Sequence, residues 1–133
     1  MVKEPPTPRL SGFRGGACDL VIATIELCPD TREQFLYEFT QLVPEVRAEN
    51  GCIEYGGAID PATGLSAQVA IRPDVVTVVE KWSSLDSLSA HRTAPHLKAF
   101  RERIRTFVLG TTLQVLTPLG EPSTEPCGTP GVS

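Results

Sequence analysis

Four strand-like stretches and two helical regions follow one another in an order that few folds allow. Strand patterns, rich in β-branched and apolar residues, cover residues 20–28, 52–59, 75–82 and 113–117. The first helical region begins after Asp30 and ends near Gly51, with one apolar stripe at helical spacing. The second runs from Ser83 to Gly110 and is interrupted at Pro95. The chain therefore reads strand, helix, strand, strand, helix, strand.

This order predicts an α+β fold of the ferredoxin-like βαββαβ type, an antiparallel sheet with its helices on one face. The strand at 75–82 is apolar on both faces, since Val76 and Val78 alternate with Val75 and Val79. A bare second face of this kind is unfavourable in water. We therefore expect a second copy of the chain to cover it, which predicts a homodimer.

Prolines and glycines mark the limits of the folding unit within the 133 residues. More than half of them lie near the two ends of the chain. We predict a flexible N-terminal extension over 1–18, one domain over 19–119 and a disordered tail over 120–133. Residues 65–71 fit either a loop or a short edge strand.

Charge and cysteine content narrow the classes of function. The net charge of −4 and the pI near 5.1 argue against partners that need a basic surface, so we expect neither nucleic acid nor membrane binding. The four cysteines form no C-x-x-C pair, and the two histidines do not lie at metal-binding spacing from them. We expect free thiols in a reducing cytoplasm and no metal site.

Three stretches of the chain resemble the antibiotic biosynthesis monooxygenase family, especially its small quinol-monooxygenase-type members. They are 50–55 (Asn-Gly-Cys-Ile-Glu-Tyr), 78–84 (Val-Val-Glu-Lys-Trp-Ser-Ser) and 91–100 (His-Arg-Thr-Ala-Pro-His-Leu-Lys-Ala-Phe). The resemblance extends over roughly 19–119 and implies a dimeric α+β barrel. It also implies oxygenation of quinol-like or phenolic substrates by dioxygen without metal, flavin or haem. Haem-binding relatives use a helix histidine where this chain has Arg101, which cannot ligate iron.

Four residues are candidates for catalysis. His91 borders the apolar stripe of its helix and is our candidate base, because imidazole titrates near neutral pH; a partly buried structural histidine is the alternative. Trp82 either walls an aromatic slot or fills the core. Glu80 either orients His91 or acts as an acid, unless it simply pairs with Arg92 or another basic group. Tyr55 could hydrogen-bond a substrate oxygen.

A second set of residues is predicted to bind the substrate. They are Phe35, Phe39, His96 and Phe100. The sequence does not separate pocket lining from core for the three phenylalanines, and for His96 the alternative is a polar surface position, which is common in the first turn of a helix. Two other functions remain open: an isomerase or small-metabolite-degrading enzyme that uses the same pocket, and a non-catalytic binding dimer.

Overall fold

The computed structural model describes residues 18–119, within which four strands and three helices form one layer of helices on one sheet. The predicted tail over 120–133 and all but the last residue of the predicted extension over 1–18 lie outside the described residues. The strands are β1 (Asp19–Leu27), β2 (Cys52–Ala58), β3 (Val75–Trp82) and β4 (Val108–Leu116). The helices are α1 (Arg32–Arg47), α2 (Leu85–Arg92) and α3 (Pro95–Ile104).

The sheet has the strand order β2-β3-β1-β4, and every neighbouring pair is antiparallel. The two strands that are central in space, β1 and β3, are therefore the first strands of the two halves of the chain. This arrangement confirms the predicted ferredoxin-like α+β fold.

The end of the last helix and the start of the last strand differ from the prediction. The last helix ends at Ile104, and β4 begins at Val108 rather than at 113. The backbone N–H of Phe107 donates to the carbonyl of Ile104, which closes a turn, and Gly110 pairs with Glu26 inside the sheet. The apolar spacing at Phe107 and Val108 therefore comes from a turn and a strand, not from a longer helix.

The segment between β2 and β3 forms a loop, so the edge strand considered for 65–71 is absent. The guanidinium of Arg72 donates to both carboxylate oxygens of Asp60 at 2.8 Å, and the Arg72 backbone N–H donates to the same carboxylate at 2.9 Å. These contacts join the two ends of the loop and hold the pKa of Asp60 at about 2.

The helices cover only one face of the sheet. On β3, Val76, Val78, Glu80 and Trp82 lie on the covered face, and each is at most 5% exposed. The core continues into α1 through its buried residues, which are Phe35, Phe39, Leu42 and Val46. The alternate residues of β3 lie on the helix-free face, where Val79 is 38% exposed.

The cysteines depart from the prediction at one position. Cys28 and Cys52 are free thiols. Burial raises the pKa of Cys52 to about 11, with nearby carboxylates adding to the effect, so its thiol stays protonated at neutral pH. Cys18, however, is disulfide-bonded, and the expectation of four free thiols is wrong there.

Candidate active site

Two adjacent strands and one helix bring the four candidate catalytic side chains together on the covered face of the sheet. Tyr55 on β2 pairs directly with Glu80 on β3, and Trp82 lies two residues further along the same face. His91 comes from α2, which packs above them. All four are at most 5% exposed, so the cluster is dry within a single chain.

The imidazole of His91 lies between two aromatic side chains. Its ring centre is 4.7 Å from that of Trp82 and 5.6 Å from that of Tyr55, the latter in an edge-to-face arrangement. The Nδ1 atom lies 3.0 Å from the Glu49 carboxylate. Nε2 has no hydrogen-bond partner within residues 18–119. Nε2 is therefore the ring nitrogen that no other group in this part of the chain occupies.

Glu49 is the site residue that the sequence did not reveal. The residue looked like part of a helix terminator, Glu49-Asn50-Gly51, and nothing in that pattern indicates chemistry. In the structure its Oε2 lies 3.0 Å from His91 Nδ1 and 2.5 Å from His96 Nε2. His96, predicted to bind substrate, therefore contacts a carboxylate of the protein.

Gly51 lets the end of α1 reach α2. It adopts φ +88°, and a Cβ atom there would lie 2.0 Å from the Ser87 hydroxyl oxygen. Its carbonyl accepts a hydrogen bond of 2.8 Å from the backbone N–H of Ser83. Only glycine fits this close approach, which places Glu49 beside the helix that carries His91.

Glu80 forms no hydrogen bond with His91 within residues 18–119. Its carboxylate accepts a 2.9 Å hydrogen bond from Nε1 of Trp82, and it forms no ion pair with Arg92 within the described residues. Burial raises the pKa of Glu80, although the Trp82 hydrogen bond and the nearby His91 and Arg92 act in the opposite direction. In the described residues the hydrogen-bond partner of Glu80 is thus an indole rather than a basic group, and a catalytic role for Glu80 stays a prediction.

Tyr55 is only 5% exposed, and its hydroxyl is a donor without a hydrogen-bond partner in residues 18–119. Burial raises the pKa of Tyr55, and the negative charges of Glu80 and Glu49 raise it further. The phenol is thus neutral at physiological pH and can donate a hydrogen bond. An unpartnered buried hydroxyl is costly unless something binds it.

The three phenylalanines extend the aromatic cluster away from His91. Phe39 stacks on Tyr55 with ring centres 5.7 Å apart, and the Phe35 ring lies 5.8 Å from both the Phe39 and the Phe100 ring. All three are at most 4% exposed and belong to the core. A role in binding substrate stays a prediction for them.

Two other properties of residues 18–119 bear on function. No helix in this part of the chain is long and apolar enough to cross a membrane. No group of three or more His, Cys, Asp or Glu side chains there is arranged to hold a metal ion.

The chain is thus a small α+β protein with a ferredoxin-like sheet. Between the sheet and its helices lies a buried cluster of aromatic side chains and one imidazole. The profile of the antibiotic biosynthesis monooxygenase family matches residues 20–103, and the chain belongs to this family. Family membership supports a monooxygenase-type function.

Named relatives agree with this assignment. The chain is 37% identical over 100 residues to the "Probable quinol monooxygenase YgiN" of Escherichia coli K12, covering 74% of this chain and 95% of the relative. The protein of the same name from Shigella flexneri matches equally well.

Solved structures share the fold. Rv0793 from Mycobacterium tuberculosis superposes with a TM-score of 0.64 at 26% identity, covering 80% of this chain and 100% of that one. PA3566 from Pseudomonas aeruginosa gives 0.65 at 23% identity, covering 78% of this chain and 96% of its own.

Proposed function

We propose that this chain is a cofactor-independent monooxygenase that oxidises a quinol or a related small phenol with dioxygen. The substrate class rests on similarity to a protein named as a quinol monooxygenase, which the chain matches over 95% of that protein's length. The residue that carries the proposal is His91, a buried imidazole with one ring nitrogen free and an aromatic ring on either side.

The proposed reaction begins with proton transfer. His91 Nε2 removes a proton from a quinol hydroxyl, and the electron-rich ring then reduces dioxygen and forms a carbon–oxygen bond. Removal of the ring proton at that carbon breaks the O–O bond, and hydroxide leaves with a proton as water. A quinol and one O₂ thus yield a hydroxyquinone and one water, and the substrate supplies all the electrons.

The surroundings of His91 suit this chemistry. Burial excludes water, which would otherwise intercept reduced oxygen species. A neutral Tyr55 phenol can donate to a substrate oxygen, and the Trp82 ring offers a flat apolar surface beside the base. We assign Tyr55 to hydrogen bonding, Trp82 to stacking, and Glu80 to holding the indole.

Oxygen consumption on a panel of hydroquinones tests the proposal. We expect uptake above the enzyme-free rate, and one labelled oxygen atom in the product when ¹⁸O₂ is supplied. His91→Ala should lower kcat by about 10²- to 10⁴-fold, the range for loss of a general base. Arg105→Ala, at a side chain 70% exposed, is the matched control and should leave kcat unchanged.

Three outcomes would contradict the proposal. Release of hydrogen peroxide without label in the product would indicate an oxidase. Turnover that continues without oxygen would favour an isomerase or a small-metabolite-degrading enzyme. Tight binding of quinols with no turnover would favour a binding protein.

We further propose that the active form is a homodimer in which the helix-free face of the sheet is the interface. A row across the middle of this face consists of Gly56, Val79, Ile22 and Gln114, in sheet order. Val79 is 38% exposed in the single chain, and Ile22 beside it is only half-buried. A second sheet packed on this row would remove both from water.

The mass in solution tests the dimer. We expect twice the chain mass of 14.4 kDa by light scattering, and the mass of one chain for Val79→Arg. Tyr37→Arg, at an exposed residue of α1, is the control and should remain dimeric. A wild-type monomer that oxidises quinols at full rate would contradict the proposal. The cytoplasmic location stays a prediction.

A further inference from the structure

We propose that Glu49 is a positioning residue that keeps Nε2 of His91 free of a proton, and that His96 holds the Glu49 carboxylate in place. The inference rests on the proposed function where it treats His91 as the catalytic base. The tautomer of the His91 ring does not depend on that function. It assigns a role to Glu49, which no sequence pattern indicated, and to His96, which was expected to contact substrate.

The contacts define a three-residue arrangement around one oxygen atom. Glu49 Oε2 lies 3.0 Å from His91 Nδ1 and 2.5 Å from His96 Nε2. An ionised carboxylate can only accept hydrogen bonds, so both ring nitrogens carry a proton toward it. A neutral imidazole has one N–H and one bare nitrogen. With Nδ1–H directed at Glu49, His91 presents Nε2 as a base.

The break between α2 and α3 makes this arrangement possible. His91 and His96 are five residues apart, and in one continuous helix they would lie about 140° apart around the axis. Ala94 is extended, with φ −65° and ψ 142°, and Pro95 begins α3 at its first position. The resulting bend turns both imidazoles toward the same carboxylate. The break at Ala94-Pro95 thus separates the two helices and also brings both imidazoles to Glu49.

Burial makes the carboxylate effective. The side chains of His91, Glu49 and His96 are 3%, 12% and 25% exposed, so solvent screens the contact between Glu49 and His91 only weakly. The negative charge favours the imidazolium that forms when His91 takes a proton. His96 supplies a second donor to the same oxygen and restricts rotation of the carboxylate.

Other charged or titratable groups also face His91 and are common to every variant compared below. They are Glu80 from β3 and Tyr55 from β2, and Arg92 of the same helix acts on Glu80. Substitutions at Glu49 leave these groups in place, so a change in the ring spectrum of His91 reports on Glu49.

Nitrogen NMR tests the tautomer without any substrate. The chain has only two histidines, and His96→Gln assigns the remaining ring signals to His91. In the wild type we expect neutral His91 to carry its proton on Nδ1. Glu49→Ala should shift the population toward Nε2–H. Glu49→Gln keeps an oxygen acceptor, so it should retain the tautomer.

Kinetics test the consequence for catalysis. Glu49→Gln should lower kcat by about 10- to 10³-fold, less than His91→Ala, because the base remains but loses its counter-charge. The KM should change little, since Glu49 does not line the free side of His91. The acid limb of the pH–rate profile should move to lower pH. Glu45→Gln, an exposed carboxyl on α1, is the matched control.

The positioning role of Glu49 and the proposed function can fail separately. A neutral wild-type His91 with its proton on Nε2, or an unchanged ring spectrum in Glu49→Ala, would overturn the positioning role. The expected tautomer in a protein that oxidises no quinol would support that role and overturn the proposed function. Equal kcat losses in Glu49→Gln and Glu45→Gln would also count against the assignment.

Discussion

The two faces of the single sheet differ in how completely one chain buries them. On β3, Val78 is 2% exposed and its neighbour Val79 is 38% exposed, although the two residues are identical and adjacent. The helices α1, α2 and α3 account for the difference because all three lie on the same side. The comparison indicates that one chain fully buries the helix-covered face of β3, whereas the other face of this strand offers apolar surface to a partner.

The faces also differ in what their polar groups do. The open face carries a row of threonines, Thr77, Thr24 and Thr112, whose hydroxyls can reach water. The covered face carries a carboxyl, an imidazole and a phenol at Glu80, His91 and Tyr55, each at most 5% exposed. Burying a polar group costs free energy, and use of that group in a reaction is one reason for such burial. The same sheet thus separates a candidate active site from a candidate interface.

Shortening one valine on each face gives the largest expected effect. Val78→Ala should lower the free energy of unfolding by about 2 kcal/mol, from lost burial plus the cavity left behind. Val79→Ala should cost clearly less at protein concentrations low enough to keep the chain monomeric. Urea denaturation of both variants measures the difference.

Protein concentration sharpens this test. If a second copy covers the open face, the cost of Val79→Ala should rise with concentration, while that of Val78→Ala should not. Equal costs at every concentration would contradict the contrast between the faces.

The fold could be predicted because its signals are local. Strand alternation at 75–82 and the break at Pro95 depend on neighbours in sequence, and the structure bears out both. Glu49 could not be found in this way, because it meets His91 across 42 residues and only the approach at Gly51 brings them together. The start of β4 was missed for a related reason: the apolar spacing at Phe107 and Val108 fits a helix as well as a turn entering a strand.

The adjacent glycines of β2 provide a second matched pair. A Cβ atom on Gly57 would lie 3.0 Å from the Phe39 ring, which is itself packed against other aromatic rings. On Gly56 the nearest atom, at 3.7 Å, is the end of the Arg47 side chain. Gly57→Ala should therefore destabilise the protein by about 1 kcal/mol. Gly56→Ala should be neutral or slightly stabilising, because alanine restricts the unfolded chain.

Thermal unfolding of the two alanine variants distinguishes these expectations. A loss of stability in Gly56→Ala equal to that in Gly57→Ala would show that the two faces of β2 are equally crowded. A concentration-dependent loss in Gly56→Ala alone would instead indicate a close approach by a second sheet.

The pH dependence of stability gives the smallest expected effect and tests the buried carboxyl of the covered face. Because burial raises the pKa of Glu80, the folded chain holds this proton more tightly than the unfolded chain does. Stability contributed by the protonated form is therefore present at acid pH and is lost as pH rises through the folded pKa. Glu80→Gln keeps an acceptor for Trp82 Nε1 but cannot ionise.

The stability of Glu80→Gln relative to wild type should therefore increase from acid to neutral pH and then level off. Glu26→Gln, at an exposed carboxyl on the open face, controls for the loss of one negative charge. Urea denaturation of the three proteins between pH 4 and pH 8, a range set around the ordinary glutamate pKa of about 4.3, measures the trend. The same trend in both variants, or a relative stability of Glu80→Gln that falls with rising pH, would mean that desolvation does not dominate at Glu80. In that case Trp82 and His91 would favour the charged form of Glu80 by more than burial disfavours it.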